Sequence, residues 1–477
     1  MTCLCASRLL VVSLSLAVAL NLASVAGGQA ADVRGKTGLR PNIVFVLCDD
    51  LGWADLPCYG RREKVFHAGG TPVRNEFRLQ NIDRLAAEGT RFNHFYTNAA
   101  VCSPSRAGLL TGRFPGALGI HDFMASPELN RERGMPEALD PAFPTLPKLL
   151  RAAGYRTAVF GKWHLGPVDD LSEYGFDAWH CVKPEPEARP NDTAALLDRT
   201  LAFIKEDPVR PFFVNLWIRD PHTPLHPTPE QLAPYRHLAP EWGDEVGSMQ
   251  VWYGVLGEID RQIGRLLDEL ERLGLSGRTI VIFTSDNGAE NALYPATSHF
   301  LGASSAMDSP FRGAKRSLYE GGVRMPFLLR WPGRTPAGGL DEQTAFSAVD
   351  LLPTLADAAG VSIPADWPLD GESVLPAFEG RPVEKKKPIL WENRFPVYGH
   401  VVHKSPMLAV RDGKWKLLMN PDRSRIELYD VAADPAELKE LSSAYPEETR
   451  RLADKVLHWS KELPDGPVHP DAGSAAW

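Results

Sequence analysis

The sequence predicts an α/β protein: a large, mostly parallel sheet flanked by helices on both faces, followed by a small α+β unit with an antiparallel sheet and one helix. Three observations predict it. Residues 42–47, 157–160, 212–217 and 279–284 are continuous apolar runs, as in strands covered on both faces. Between them, residues 81–88, 145–153, 193–205 and 249–273 carry helical patterns, and strands alternating with helices build parallel sheets. After about Glu379 the texture changes to short strands and turns.

In chain order, the 477 residues open with Arg8, an apolar run at 9–25 and then small residues. This is the pattern of a secretory signal peptide, expected over 1–30, with cleavage after Ala26 or Ala30. Export to a periplasmic, secreted or other luminal compartment follows; only an uncleaved signal would leave the protein on a membrane. The rest, 44% hydrophobic and 23% charged overall, is ordinary globular composition, long enough for a large domain and a smaller one. The expected division is a catalytic domain at 40–380, a small C-terminal domain at 386–465 and a tail at 466–477.

Of 52 basic residues, Arg8 leaves with the signal, so 51 face 60 acidic ones, a net charge of −9. An acidic chain whose nearest approach to a basic run is Lys385-Lys386-Lys387 excludes nucleic acid as a partner. An anionic substrate would need a local cluster of cations. Of the six cysteines, Cys48, Cys58, Cys102 and Cys181 remain after the signal, too few for a disulfide scaffold; whether Cys48, Cys58 or Cys181 pair is left open.

Two stretches, 120–144 and 289–310, lack clear periodicity and read as long loops, candidate walls of a cleft. Beyond 379, residues 407–410 and 414–419 flank Asp412-Gly413 as a hairpin, 426–431 adds a strand, and 436–463 is an amphipathic helix.

The chemistry centres on Val101-Cys102-Ser103-Pro104-Ser105-Arg106. Pro104 suits the first turn of a helix, which places Cys102 at its N-terminus, where free N–H groups favour an anion. Arg106 lies one turn on. Asp49 and Asp50 follow the first strand, and Asp286-Asn287-Gly288 follows another; the carboxyl ends of strands are where open α/β sheets bind ligands. Three carboxylates and an amide oxygen are hard donors that suit Ca²⁺ or Mg²⁺. Lys162 and His164, spaced i, i+2 after the strand at 157–160, are expected on one face, a cation beside a proton carrier. The proline-stiffened loop 220–227 carries His222 and His226. Lys315 stands between Arg312 and Arg316, whose charges are expected to be solvated at the surface.

Cys-x-Pro-x-Arg, continued here by Leu110-Thr111-Gly112-Arg113, resembles the signature of the type I, formylglycine-dependent sulfatases of the alkaline-phosphatase-like superfamily. Gly161-Lys162-Trp163-His164-Leu165-Gly166 resembles that family's second signature. The resemblance runs from Pro41 into the C-terminal domain with the motifs in order. It implies that Cys102 is oxidised to formylglycine by a formylglycine-generating or other sulfatase-maturing enzyme, and that its hydrated aldehyde attacks the sulfur of a sulfate ester. It implies a metal site of Asp49, Asp50, Cys102, Asp286 and Asn287, with Ca²⁺ favoured and Mg²⁺ the alternative. Arg106, Lys162 and the metal would stabilise the nucleophile. Lys162, His222 and Lys315 would hold the substrate, His222 and Lys315 would serve the leaving alcohol, and His164 would act as the base that expels sulfate. The expected substrate is a sulfated small molecule or glycan, with Trp53, Trp163 and Trp217 as candidates for stacking on a sugar. The rival expectations are a phosphonate or phosphate ester hydrolase of the same superfamily, and an inactive sulfated-glycan-binding relative.

Overall fold

The computed structural model describes residues 40–60, 65–68, 71–74, 78–181, 192–238, 248–290 and 309–475. The expected signal at 1–30, most of the loop at 289–310 and the end of the tail lie outside them. Nine strands form the large sheet. Its main strands are β1 (Asn42–Cys48), β2 (Thr90–Tyr96), β3 (Arg156–Gly161), β4 (Ala178–Cys181), β5 (Phe212–Trp217), β6 (Thr279–Ser285) and β7 (Arg324–Arg330). They run in the order β2-β7-β6-β1-β5-β3-β4, and the short strands Gly339–Asp341 and Phe346–Ser347 extend the β2 edge. β6, β1, β5, β3 and β4 pair in parallel, whereas β7 runs antiparallel to both β2 and β6.

The four predicted apolar runs are β1, β3, β5 and β6. Alternation along β1 explains their continuity. Ile43, Phe45 and Leu47 enter one core, with side chains from helices α2 (Cys102–Thr111) and α3 (Leu146–Ala152). Val44, Val46 and Cys48 enter the opposite core, with α1 (Gln80–Glu88), α4 (Thr193–Glu206) and α5 (Ser248–Arg272). Both faces are dry, so the alternating positions from Ile43 to Cys48 are apolar on either side.

The second sheet has four antiparallel strands, β8 (Ile389–Glu392), β9 (Leu408–Asp412), β10 (Trp415–Met419) and β11 (Glu427–Asp430). Gly413, at φ +60°, takes the first position of the β9–β10 turn, where a side chain would strain the backbone. The predicted helix 436–463 is shorter: α6 spans Pro446–Ser460. Pro446 can begin a helix but not continue one, and Glu437 sits in the left-handed region at φ +54°. One face of this sheet packs on Leu452, Ala453 and Val456 of α6. The other packs on Tyr96, Ala100, Leu318 and Tyr319 of the large unit.

A buried ionic cluster pins that junction. Lys416 Nζ lies 2.9 Å from Glu320 Oε1 and 3.0 Å from Glu437 Oε1. Glu320 Oε2 accepts from Tyr96 Oη at 2.7 Å and meets Arg324 at 3.3 Å. Glu437 Oε2 accepts from the backbone N–H of Glu320 at 2.7 Å. All four cysteines from Cys48 onwards are free thiols.

Candidate active site

β1, β6, β3 and β5 end side by side, and each releases a functional segment at its carboxyl end. Asp49 and Asp50 follow β1, Asp286 and Asn287 follow β6, Lys162 follows β3, and His222 lies beyond β5. Cys102 is the first residue of α2, all ten residues of which are buried. Sequence positions up to 265 apart therefore meet, as in the 2.7 Å contact of Lys315 Nζ with Asp50 Oδ2.

Each carboxylate carries its own cation. Asp49 Oδ2 pairs with Lys162 Nζ, Asp50 Oδ2 with Lys315, and Asp286 Oδ2 with Arg106 at 2.7 and 2.9 Å. Arg106 is wholly buried, donates to the carbonyl of Lys162 at 2.6 Å and lies over the Trp217 ring at 5.2 Å. Burial works against ionisation of Asp49, yet Lys162, His222 and Arg106 hold its carboxyl well below the usual range. Burial likewise opposes charge on Lys315, but Asp50 keeps its ammonium firmly protonated.

Ligand atoms of Asp49, Asp50, Cys102 and His222 all lie within 4.8 Å of one another. This cluster shares three residues with the predicted ligand set and adds His222. Asn287 Nδ2 donates to Asp50 Oδ1 at 2.7 Å, while Asn287 Oδ1 and Asp49 Oδ1 are buried without a hydrogen-bond donor. Unpartnered buried oxygens among carboxylates are what a hard divalent cation satisfies, so the residues present fit one.

The predicted pairing of Lys162 and His164 on one strand face does not hold. β3 ends at Gly161, whose φ of +119° turns the chain out of the sheet. A Cβ there would stand 1.9 Å from the Trp217 carbonyl oxygen, so only glycine fits. Lys162 and His164 converge instead through a turn in which His164 takes φ +57°. Asp50, at φ +64°, is a second non-glycine residue in this costly region, and such strain gathers at functional sites. Ser103 Oγ donates to the His164 carbonyl at 2.7 Å and accepts from Met124 N–H at 2.9 Å, tying α2 to this turn and to the 120–144 segment.

Hydrogen bonding fixes both imidazole tautomers, because a carbonyl can only accept. His164 Nε2 faces the Met124 carbonyl at 2.8 Å, so it carries the proton. Its Nδ1 is then a bare lone pair, buried with no partner. His222 Nδ1 faces the Thr223 carbonyl at 2.5 Å, leaving Nε2 directed at Asp50 Oδ2, 3.6 Å away. Burial first, and then Lys162 and Arg106, hold the imidazole of His164 well below its ordinary range. Burial and Lys315 push His222 down to about 4. Burial pushes the Cys102 thiol up to about 12 against the pull of Lys162.

A cavity of about 640 Å³ opens onto this group, with Cys102, Lys162, His164, His222 and Lys315 in its lining. The segment 120–144 supplies one wall through Phe123 and Met124, as expected, and contains a short helix, Pro127–Glu132. His226 does not line the cavity. Nor do the three tryptophans: Trp163 and Trp217 are fully buried and stack on each other at 6.0 Å, and Trp53 packs on Tyr59 and Phe311. Neither neighbour of Lys315 is a solvated surface charge. Arg312 donates to Val402 O and Tyr429 Oη, and Arg316 lines the cavity, bound to Glu290 at 2.8 and 3.0 Å. Arg219 and Glu290 also line it; Glu290 falls in the 289–310 stretch expected as a wall, whereas Arg219 belongs to no motif and nothing in the sequence singled it out.

The family model for sulfatases matches residues 41–361, and that for the C-terminal region of N-sulphoglucosamine sulphohydrolase matches residues 313–462. N-acetylgalactosamine-6-sulfatase of Canis lupus familiaris is 35% identical over 381 residues, covering 71% of this chain and 66% of that protein. The chain thus aligns with just under two thirds of that relative's length. Arylsulfatase A of Bos taurus is 32% identical over 465 residues, covering 87% of this chain and 80% of that protein. The crystal structure of Ps i-CgsB in complex with k-i-k-neocarrahexaose superposes with a TM-score of 0.74 at 25% identity, over 89% of this chain and 94% of that one. Sequence match and sheet topology agree over most of the molecule: the chain belongs to the sulfatase family, within the alkaline-phosphatase-like superfamily.

Proposed function

We propose that this protein is an exported sulfuric ester hydrolase that removes sulfate from a carbohydrate, using formylglycine made from Cys102 and a bound Ca²⁺. One observation carries the reading: Cys102, Lys162, His164, His222 and Lys315 share one cavity beside buried oxygens, Asp49 Oδ1 and Asn287 Oδ1, that have no hydrogen-bond donor. Relatives named as sulfatases for N-acetylgalactosamine 6-sulfate support a sulfated sugar as substrate. The apolar run at 9–25 supports export, and a maturing enzyme acting on Cys102 is the partner this requires. The catalytic domain is residues 40–380, which hold every group in the scheme.

Asp49, Asp50, Asp286 and Asn287, with the modified Cys102, would hold the metal; hard oxygens favour Ca²⁺, with Mg²⁺ second. A bound divalent cation supplies Lewis-acid polarisation of a sulfuryl oxygen. Formylglycine supplies the nucleophilic oxygen, which a buried, protonated thiol cannot. Formal charges on Asp49, Asp50 and Asp286 cancel those on Arg106, Lys162 and Lys315. A dication then leaves an excess of two positive charges, matched by a sulfate ester of one negative charge and an ionised nucleophile.

Within that field the side chains divide the work. Lys162 and Lys315, both held protonated, bind sulfuryl oxygens and stabilise charge that develops on them. Lys315 also provides a proton to the departing alcohol. His222 orients that alcohol. The bare Nδ1 of His164 takes the proton that must be removed for sulfate to leave. Arg106 touches no cavity surface; it fixes Asp286 and the backbone at Lys162.

Sulfate release from a panel of sulfated mono- and oligosaccharides, beside an aryl sulfate, a phosphate diester and a phosphonate, tests the reading. Sulfate esters should be turned over in preference to the others. The Cys102 peptide should weigh about 18 Da less than its thiol form. Full activity with an intact thiol, or preference for the phosphonate, overturns it.

A further inference from the structure

We propose that the cavity beside the catalytic one binds the neighbouring ring of the substrate glycan, so that this protein acts on the end of an oligosaccharide in preference to a free sugar sulfate. The proposal rests on the reading of the first cavity as the sulfate site.

The second cavity measures about 730 Å³ and shares Phe123 and Arg316 with the first. Its other side is built by the C-terminal part of the chain, through Phe395, Tyr398 and His469. The tail expected at 466–477 is thus a wall, held by the 2.9 Å bond from His469 N–H to the Arg394 carbonyl.

The lining combines aromatic faces with fixed donors. Arg133 lies 4.4 Å from the Phe123 ring and 5.6 Å from that of Phe395, donates to the Phe123 carbonyl at 3.0 Å and pairs with Asp122 at 3.2 Å. Arg316 lies 5.3 Å from the Tyr398 ring. Its N–H donates to the Ala100 carbonyl at 2.7 Å and its own carbonyl accepts from Asn393 Nδ2 at 2.9 Å. The residue dividing the cavities is therefore anchored on both sides, in a left-handed conformation at φ +75°. A sugar ring presents apolar C–H faces and a rim of hydroxyls, which such a surface matches.

Two observations point to a ligand. Tyr398 is 53% exposed and Val468 49%, two of the few large apolar side chains left in solvent among the described residues, and both line this cavity. Its arginines already hold carboxylates, so the site offers stacking and neutral hydrogen bonds in place of net positive charge. The neighbouring ring is accordingly recognised by its hydroxyls and face, without a second sulfate.

The test compares 6-sulfated N-acetylgalactosamine, galactose and glucosamine, each as free sugar and as the terminal residue of a trisaccharide, with an aryl sulfate as the reference. The wild type should show kcat/KM about tenfold higher for the preferred trisaccharide than for its free sugar. Tyr398→Ala and His469→Ala should remove most of that gain through KM and leave aryl sulfate turnover within about twofold. Equal kcat/KM for free sugar and trisaccharide, or a loss in the variants that is equal on all substrates, overturns the proposal while sulfatase activity stands. Absence of sulfate release from every substrate, the aryl sulfate included, overturns the underlying reading and the proposal with it.

Discussion

Two buried clusters of opposite charges among the described residues are finished differently. At the junction of the sheets, Lys416 sits between Glu320 and Glu437, and Arg324 and Tyr96 complete Glu320. At the carboxyl ends of the large sheet, Arg106, Lys162 and Lys315 meet three aspartates, but Asp49 Oδ1, Asn287 Oδ1 and His164 Nδ1 are left without hydrogen-bond partners. A cavity reaches the second group. Buried polar atoms left over in an otherwise well-paired cluster cost stability, and they persist where a ligand or a proton completes them. The first cluster is a fastening; the second is a site waiting for its reactants.

The contrast should appear most strongly in activity. Cys102→Ala removes the nucleophile, and turnover should fall at least about 10⁴-fold, with the melting temperature within a few degrees of wild type. A large loss of stability would mean that Cys102 is a packing residue. Lys416→Met should do the reverse. It strands Glu437 in a dry junction and takes one cation from Glu320, and should cost about 3–5 kcal/mol in denaturant unfolding, while the molecules that remain folded keep their kcat. Loss of kcat in that fraction would merge the two clusters into one functional unit.

Metal depletion comes next. Chelation followed by Ca²⁺ at about 100 times its Kd should restore about 2.7 kcal/mol of stability along with activity. Asn287→Ala should blunt both responses, read by calorimetry and by sulfate release. The smallest effect is a titration. Burial raises the Glu437 carboxyl to about 7; Lys416 opposes the rise and the neighbouring Glu320 carboxylate adds to it. Glu320 falls to about 2: burial opposes this, but Lys416, Arg324 and Arg411 outweigh it. Glu320 thus contributes stability that is present above pH 4.5 and lost as pH falls toward 2. Glu437 binds its proton more tightly when folded, so its contribution is full below pH 4.5 and lost as pH rises toward 7. Glu437→Gln keeps the bond to the Glu320 N–H and should flatten the melting-temperature profile between pH 4.5 and 7. An unchanged slope there would assign it to other groups.

What the sequence disclosed follows the physics of each element. β1, β3, β5 and β6 were legible because both faces are dry and the runs are almost wholly apolar, with Asn215 in β5 the interior exception. β2 and β7 were not: β2 carries Arg91, Asn93 and His94 among its aromatics, and β7 begins and ends with arginine and contains Pro326, which argues against an inner strand. Cys102, Arg106, Lys162, His164, His222 and Lys315 were legible as motifs, and the structure gathers them at one place. The reason given for Lys162 and His164 was wrong, because periodicity stops where Gly161 turns the chain. The place of His222 within ligand distance of Asp49 and Asp50, the lining by Arg219, and the second cavity depend on loops meeting across long separations. Local spacing does not encode that.

The bond between Lys315 and Asp50 closes a span of 265 positions, and Arg106 and Asp286 are 180 apart. No contiguous portion of the chain that stops short of residue 315 contains the centre. Contacts this distant form late and slowly. Turnover per milligram is therefore a measure of completed molecules: in a preparation, partly assembled or clipped chains add mass and no rate, and catalytic yield is the gauge of how much protein has reached the end of its folding.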